Sequence, residues 1–115
     1  MTYKLFLDDI RSADWVYPDD DVDSWVLCRS YDDAVNTVNS KGWPSIVSFD
    51  HDLGENVPSG MDFAHYLVEM SLDEIDSGGQ GMPKNFEYRV HSANPTGAEN
   101  IKALMKRYME HIRHA

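Results

Sequence analysis

The sequence lacks the features that define several common classes of protein. Its 115 residues include a single cysteine, Cys28, which excludes an intrachain disulfide framework and a cysteine-based zinc site. No apolar run approaches the roughly 18 residues of a membrane-spanning helix. The N-terminus enters a strand pattern directly, without the features of a signal peptide. We therefore expect one soluble, cytoplasmic domain that spans residues 1–115.

Positive charge and the usual phosphate-binding motifs are both scarce. Ten Lys and Arg face 20 Asp and Glu, so the net charge is −10 and long nucleic acid is not an expected partner. The sequence holds no P-loop, no Gly-x-Gly-x-x-Gly and no nucleophile elbow. A small phosphate ligand remains compatible with this composition, because local donors or a metal ion can reverse the local field. The acidic run at residues 19–23 is expected to be a solvated loop.

Strand and helix patterns alternate along the chain. The order β-β-α-β-α-β-α predicts an α/β fold with a small, doubly wound parallel sheet, four strands in the order 2-1-3-4 and three helices. Residues 12–24 are expected to form an irregular connection. Ser30 and Asn94 are the expected N-caps of the first and last helices, and Gly42 ends the first. The predicted strands are Tyr3–Asp8, Trp25–Arg29, Ser45–Asp50 and Phe86–Ser92.

Three of the predicted strands end in a cluster of polar residues, within residues 7–11, 48–54 and 90–95. Ligands of open α/β sheets bind outside the carboxyl ends of the strands, where the strand order reverses. With strands one and three central, the carboxylates of the first two clusters should converge at that point. His91 should lie one strand further along the same edge.

Converging carboxylates repel one another unless a positive charge lies among them. A divalent cation is the usual solution, and oxygen ligands favour Mg²⁺, Mn²⁺ or Ca²⁺, with Mg²⁺ or Mn²⁺ expected here. Nearby imidazoles would also admit Fe²⁺ or Zn²⁺. For any single aspartate, an ion pair with Arg11 or a loop cap is an equally good interpretation. The candidate metal ligands are Asp8, Asp9, Asp50 and Asp52.

Two histidines at neighbouring strand ends allow acid–base chemistry. Near-neutral pKa values would suit His51 and His91 to act as general base and general acid across a phosphodiester. Side-chain alternation places His51 on the opposite face from Asp50 and Asp52, so His51 is expected to face His91 instead. The alternative for each histidine is an ordinary surface or core residue.

A phosphate would find its partners beside these clusters. Arg11 could clamp one phosphate oxygen. Residues 94–97 open the last helix directly after His91, and free N–H groups at a helix start bind anions. An ordinary capped helix is the alternative. The candidate substrate-binding residues are Arg11, Ser92 and Asn94.

The blocks at residues 5–11, 48–54 and 91–97 resemble the signature blocks of the cyclic-phosphate processing receiver-like domain, a family of small bacterial and phage proteins. The resemblance runs across nearly the whole chain and implies a receiver-like, flavodoxin-like α/β fold. It also implies a role in processing cyclic phosphates on nucleotides or RNA ends. Asp8, Asp9 and Asp50 resemble the acidic pocket of phosphorelay receivers, with Asp50 at the phosphoacceptor position and Ser92 as the hydroxyl residue.

The sequence also departs from ordinary receivers. Their later strand and its Lys are missing, and His51 and Asp52 are foreign to them. We therefore expect a phosphoesterase that opens a cyclic phosphate, with His51, His91 and Asp50 as its catalytic residues. The first alternative is a binding module that sequesters a small nucleotide or docks on a protein. The second is a phosphoacceptor domain.

Overall fold

The computed structural model describes residues 2–18 and 25–113. Four strands and four helices follow one another along this part of the chain: β1 (Lys4–Leu7), α1 (Ala13–Val16), β2 (Trp25–Cys28), α2 (Tyr31–Lys41), β3 (Ile46–Phe49), α3 (Gly60–Asp76), β4 (Glu87–Val90) and α4 (Pro95–Arg113). Within the described ranges, no helix has the length and apolarity needed to cross a membrane.

The strands form one parallel sheet in the order β2-β1-β3-β4, which confirms the predicted topology. In the central pair, Leu5 lies beside Val47 and Leu7 beside Phe49. All four side chains share one face of the sheet and are fully buried in the main core. The strands are between one and three residues shorter than predicted, and each has four residues.

The two faces of the sheet are covered unequally. The three longer helices supply the main core on one face, where Leu5 and Phe49 pack against residues such as Phe63 and Ile101. On the other face a smaller cluster surrounds Phe6. This smaller cluster consists of Phe6, Ala13, Trp25 and Ile46, with Val16 and Tyr17 packed against it.

Helix α1 corrects the sequence analysis, which placed an irregular connection at residues 12–24 and counted three helices. Ala13 is 2% exposed and anchors this single turn in the Phe6 cluster. A helix of four residues is too short to show helical periodicity, so only its packing defines it. The acidic run at residues 19–23 lies outside the described residues.

The expected helix signals are confirmed. The Ser30 hydroxyl accepts a hydrogen bond from the backbone N–H of Asp33, and Gly42 ends α2 with a φ of 82°. The Asn94 side-chain oxygen accepts from the backbone N–H of Gly97 at 2.9 Å. These caps satisfy backbone groups that a helix end otherwise leaves unpaired. The cap at Asn94 also fixes the start of α4 beside the carboxyl edge of the sheet.

Candidate functional site

Three residues at the carboxyl edge are held by the sheet itself. Asp8, Asp50 and His91 each follow directly after a strand, and their backbone N–H groups donate to Cys28, Leu7 and Phe49 at 2.9–3.0 Å. These bonds extend the ladder by one residue beyond β1, β3 and β4. Side chains at matching positions of a parallel sheet point to the same face. Asp8, Asp50 and His91 therefore share the face that carries Phe6.

The carboxylates of Asp8, Asp9 and Asp50 converge, as the topology led us to expect. One ligand oxygen from each lies within 4.8 Å of the others. They line a cleft of about 650 Å³ that opens at this edge of the sheet. The lining residues are Asp8, Asp9, Ile10, Arg11, Asp50, Asp52, Gly54, Glu55, Ser92 and Ala93.

Arg11 supplies a positive charge inside this carboxylate cluster. Its Nε donates to Asp8 Oδ2 at 2.9 Å, and its Nη2 lies 3.7 Å from Asp50 Oδ2. Nη2 also donates to the backbone carbonyl of His91 at 3.3 Å. The guanidinium thus bridges the ends of β1, β3 and β4. The ion-pair interpretation of Asp8, left open by the sequence, holds in this structure.

Asp8 has a donor for every lone pair that its carboxylate offers. Oδ1 accepts from the backbone N–H groups of Ile10 and Arg11 at 2.9 and 2.8 Å. Oδ2 accepts from Arg11 Nε at 2.9 Å and from His91 Nε2 at 3.1 Å. Burial alone would raise the pKa of Asp8, but these donors and the Arg11 charge outweigh it, so the pKa lies below its ordinary value. Asp8 is therefore ionised at neutral pH.

Asp50 has the opposite shift. Burial and the neighbouring charge of Asp8 raise the pKa of Asp50, although the Ser92 hydroxyl and Arg11 oppose the rise. Two carboxylates at this separation cannot both ionise freely. Additional positive charge at this point would relieve the repulsion.

The donor set fits a divalent cation that prefers oxygen ligands. Asp9 is partly exposed and Asp50 is 7% exposed, whereas Asp8 is 1% exposed and already satisfied. A cation could bind Asp8 Oδ2 only if the Arg11 side chain left it, because the other donors belong to the backbone or are buried. Asp52, the fourth predicted ligand, bonds to His51 and Asn94 instead.

His91 lies beneath the cleft rather than in it. Its side chain is 3% exposed, and its ring stacks on Phe6 with 4.4 Å between centroids and 9° between planes. Burial lowers the pKa of His91, although the Asp8 carboxylate opposes this. The sequence left open whether His91 is the general base or the general acid, and neither role fits a ring without access to substrate.

The tautomer of His91 follows from its neighbours. Because ionised Asp8 can only accept, His91 Nε2 carries the proton and donates it to Oδ2. Nδ1 then accepts from the Ser48 hydroxyl at 2.7 Å, and Ser48 Oγ accepts from the Tyr17 hydroxyl at 2.7 Å. One directed chain of hydrogen bonds thus runs from Tyr17 through Ser48 and His91 to Asp8. We call these residues the Tyr17–Asp8 relay.

His51 lies on the other face of the sheet, at the start of α4. Its Nδ1 is 2.8 Å from Asp52 Oδ1, and its side chain is 22% exposed. Asn94 Nδ2 donates to the same Asp52 carboxylate at 3.3 Å. The expected pairing of His51 with His91 is therefore not found, because the two rings belong to opposite faces.

Two glycines make this packing possible. A Cβ on Gly97 would lie 2.3 Å from the His51 ring, and a Cβ on Gly60 would lie 1.8 Å from the Asp50 carbonyl oxygen. Side chains at these positions would push α4 and α3 away from the end of β3. Glycine therefore sets how closely both helices approach the site.

The predicted phosphate-binding residues differ in their surroundings. Arg11 and Ser92 line the cleft. Asn94 instead caps α4 through its oxygen and binds Asp52 through its nitrogen. A phosphate in the cleft would thus meet Arg11 and Ser92 directly, and Asn94 only through Asp52.

Sequence reasoning missed two members of the relay. Ser48 is a polar residue inside the otherwise apolar strand β3 and is fully buried, which is a signal that could have been used. Tyr17 lies in the connection assigned as irregular, where its contact with Ser48 leaves no trace in the sequence.

Comparison with known proteins places the chain in a family. A family model described as the cyclic-phosphate processing receiver domain matches residues 3–107. A search of curated proteins finds no match. One solved chain, described as a yeast Spc42 trimeric coiled-coil segment (amino acids 181–211) fused to another structure, has a TM-score of 0.52 and 14% identity over 98% of this chain and 78% of that chain. That likeness supports the fold alone, whereas the family match spans the sheet and the site: the chain belongs to the cyclic-phosphate processing receiver domain family.

Proposed function

We propose that this chain opens a cyclic phosphate on a nucleotide or an RNA end, as a phosphodiesterase assisted by a divalent cation. The observation that carries the proposal is the cluster of Asp8, Asp9 and Asp50, whose ligand oxygens lie within 4.8 Å of one another beside Arg11 and Ser92. The chain's membership of the cyclic-phosphate processing receiver domain family supports a cyclic phosphate as the class of substrate.

The chemistry would be hydrolysis of one ester bond. Water adds to phosphorus, one ring P–O bond breaks, and the products are a phosphomonoester and a free hydroxyl. When bound, the cation would polarise the phosphate and neutralise the carboxylates around it. Without such a charge, the acidic cleft would repel a phosphate.

Arg11 would change partners when substrate binds. Its side chain is 32% exposed, and its contact with Asp50 is a loose 3.7 Å. It can therefore turn toward a phosphate oxygen while the backbone N–H of Arg11 stays on Asp8. The Ser92 hydroxyl, which lines the cleft, would leave the Asp50 carboxylate and donate to a second phosphate oxygen.

His51 is the histidine suited to proton transfer. The Asp52 carboxylate can only accept, so Nδ1 of neutral His51 carries the proton and Nε2 is the basic nitrogen. Asp52 lines the cleft, whereas the His51 ring packs beside Gly97, so Nε2 would have to turn toward the cleft when a phosphate binds. We assign the general base to His51, supported by Asp52.

The apolar part of the cleft suits a nucleoside. Ile10 lines it with 73% of its surface exposed, immediately between Asp9 and Arg11. A base or ribose could rest on this side chain while the phosphate lies against Arg11 and Ser92.

A non-catalytic binding module is the second candidate. The burial of His91 favours it, because a buried ring cannot supply the second proton-transfer group that a general acid–base pair requires. Such a module would bind the cyclic phosphate at the same residues and leave it intact.

Phosphorus NMR distinguishes the two candidates. The protein would be mixed with Mg²⁺ and 2′,3′- or 3′,5′-cyclic nucleotides, or with an oligonucleotide ending in a 2′,3′-cyclic phosphate. We expect a new monoester resonance, which should be absent with Asp50→Asn and retained with the exposed α3 variant Asp73→Asn. A shifted but intact substrate resonance would instead establish binding alone. Unchanged spectra with every substrate would overturn both candidates.

A further inference from the structure

We propose that Tyr17, Ser48 and His91 are positioning residues for the cation site, which hold the Asp8 carboxylate in place when Arg11 leaves it. The inference rests on the proposed function, because it assumes that a cation binds beside Asp8. It concerns residues that touch neither substrate nor cation. Their effect passes through one hydrogen bond, from His91 Nε2 to Asp8 Oδ2 at 3.1 Å.

The four hydrogen-bond donors of the Asp8 carboxylate differ in their freedom to move away from it. Oδ1 is held by two backbone N–H groups of the turn after β1, which remain as long as the turn does. Oδ2 is held by Arg11 and His91. Arg11 is 32% exposed and can move, whereas His91 is 3% exposed and cannot. Once a cation takes the place of Arg11 on Oδ2, His91 alone orients this oxygen.

The His91 ring is itself oriented by two contacts. It lies flat on Phe6, and the Ser48 hydroxyl donates to Nδ1 at 2.7 Å. The Tyr17 hydroxyl in turn fixes the Ser48 hydroxyl at 2.7 Å. Without the Ser48 donor, neither the tautomer nor the tilt of the ring would be specified. Partners of this kind, one bond removed from a ligand, tune metal sites in general.

The chain contains a matched pair without this connection. The Tyr108 hydroxyl donates to Ser71 at 2.6 Å, and the Ser71 hydroxyl accepts from the backbone N–H of Met82 at 2.8 Å. Like Ser48, Ser71 is fully buried. The hydrogen bonds of Ser71, however, end at the backbone of Met82, in the connection between α3 and β4. Ser71→Ala and Tyr108→Phe thus remove the same groups as Ser48→Ala and Tyr17→Phe without touching the relay.

The test is the affinity for Mn²⁺, measured from the electron paramagnetic resonance of the free ion in the absence of substrate. We expect His91→Phe, which keeps a ring on Phe6 but has no donor, to weaken Mn²⁺ binding by about 10- to 100-fold. Ser48→Ala should weaken it by about tenfold and Tyr17→Phe by less. His91→Gln, which retains an N–H donor, should recover part of the loss.

The controls separate positioning from stability. Melting temperatures of all variants are measured alongside. Ser71→Ala and Tyr108→Phe should lower the melting temperature yet leave the affinity for Mn²⁺ unchanged. Equal affinities in Ser48→Ala and wild type would overturn the positioning role while leaving the cation site standing. If the wild-type protein does not bind Mn²⁺, both the cation site and the positioning role are overturned.

A second measurement examines the relay without any metal. Nitrogen-15 NMR of the His91 ring should show a protonated Nε2 and an unprotonated Nδ1, and Ser48→Ala should disturb this pattern. A ring protonated at Nδ1 would reverse the relay and overturn the inference.

Discussion

His51 and His91 both follow strands at the same edge of the sheet, yet they occupy opposite surroundings. His91 is the first residue after β4 and has the register of Asp50, so it points to the Phe6 face. His51 is the second residue after β3 and points to the face covered by α4. One residue of offset at the strand end thus separates a buried ring with two partners from a half-exposed ring with one.

This difference separates two kinds of contribution to a site. Both nitrogens of His91 are hydrogen-bonded, to Asp8 and Ser48, so His91 holds these side chains in position. His51 has one nitrogen bonded to Asp52 and keeps exposed surface, as the proposed general base requires. Variants of the two histidines and of their neighbour Asp50 should separate these contributions.

Removal of His51 should abolish turnover and spare the fold. We expect His51→Ala to lower the rate of cyclic-phosphate hydrolysis by at least about 100-fold, the usual contribution of a general base. The free energy of unfolding, measured in urea, should change by less than about 1 kcal/mol, because the ring is partly exposed. His65→Ala, at an exposed position of α3, is the control and should leave both quantities unchanged. Full activity in His51→Ala would remove the assigned base.

Removal of His91 should instead damage the fold. His91→Ala empties a space against Phe6, leaves the hydroxyl proton of Ser48 without an acceptor and leaves one lone pair of Asp8 without a donor. We expect a loss of roughly 3 kcal/mol in the free energy of unfolding, measured in urea. If His91→Ala were as stable as wild type, the ring would not be the packed, doubly bonded group that the structure shows.

The burial of His91 should appear in the pH dependence of stability. The pKa of His91 is lower in the folded protein than in the unfolded chain. The folded state therefore binds fewer protons, and stability is fully present above the unfolded-state pKa of about 6.5 and is lost as the pH falls toward the folded pKa. Urea unfolding at pH 7 and pH 5 should show a smaller loss of stability in His91→Gln than in wild type. Equal losses in the two proteins would contradict the lowered pKa of His91.

Asp50 shares the face of His91 and should show the reverse sign. Because its folded pKa is raised, the folded state holds its proton more tightly, and stability falls as the pH rises through that pKa. In a chelator at pH 7, Asp50→Asn should stabilise the protein by about 1 kcal/mol, or a few degrees in melting temperature. Asp73→Asn should change stability by less than about 0.5 kcal/mol. A destabilised Asp50→Asn would show that Arg11 fully compensates the charge.

Much of the fold was accessible to sequence reasoning. The alternation of apolar runs with helical stripes predicted the order β2-β1-β3-β4, because parallel strands joined by right-handed crossovers leave few arrangements. The same topology predicted the convergence of Asp8, Asp9 and Asp50. Helix α1 escaped prediction, since a single turn is defined by the burial of Ala13 and not by periodicity.

The position of His91 depends on what covers one face of the sheet beside β4. His91 and Glu87 alternate with apolar residues along this strand and share that face. In the structure Tyr17 and Phe6 cover that face at His91, while Glu87 remains exposed. The expected contact between His51 and His91 is not found, because the relative direction of side chains on two strands depends on the register of those strands.

Local patterns of apolar, polar and capping residues fix the strand boundaries and their order, and with them the residues that reach the carboxyl edge. The surroundings of each residue at that edge follow from the assembled fold. Whether Asp8 is free or fully bonded, and whether an imidazole lies in the cleft or beneath it, depends on contacts between residues such as Tyr17 and Ser48, 31 positions apart. Register, burial and hydrogen-bond direction belong to the assembled sheet, and no local pattern specifies them.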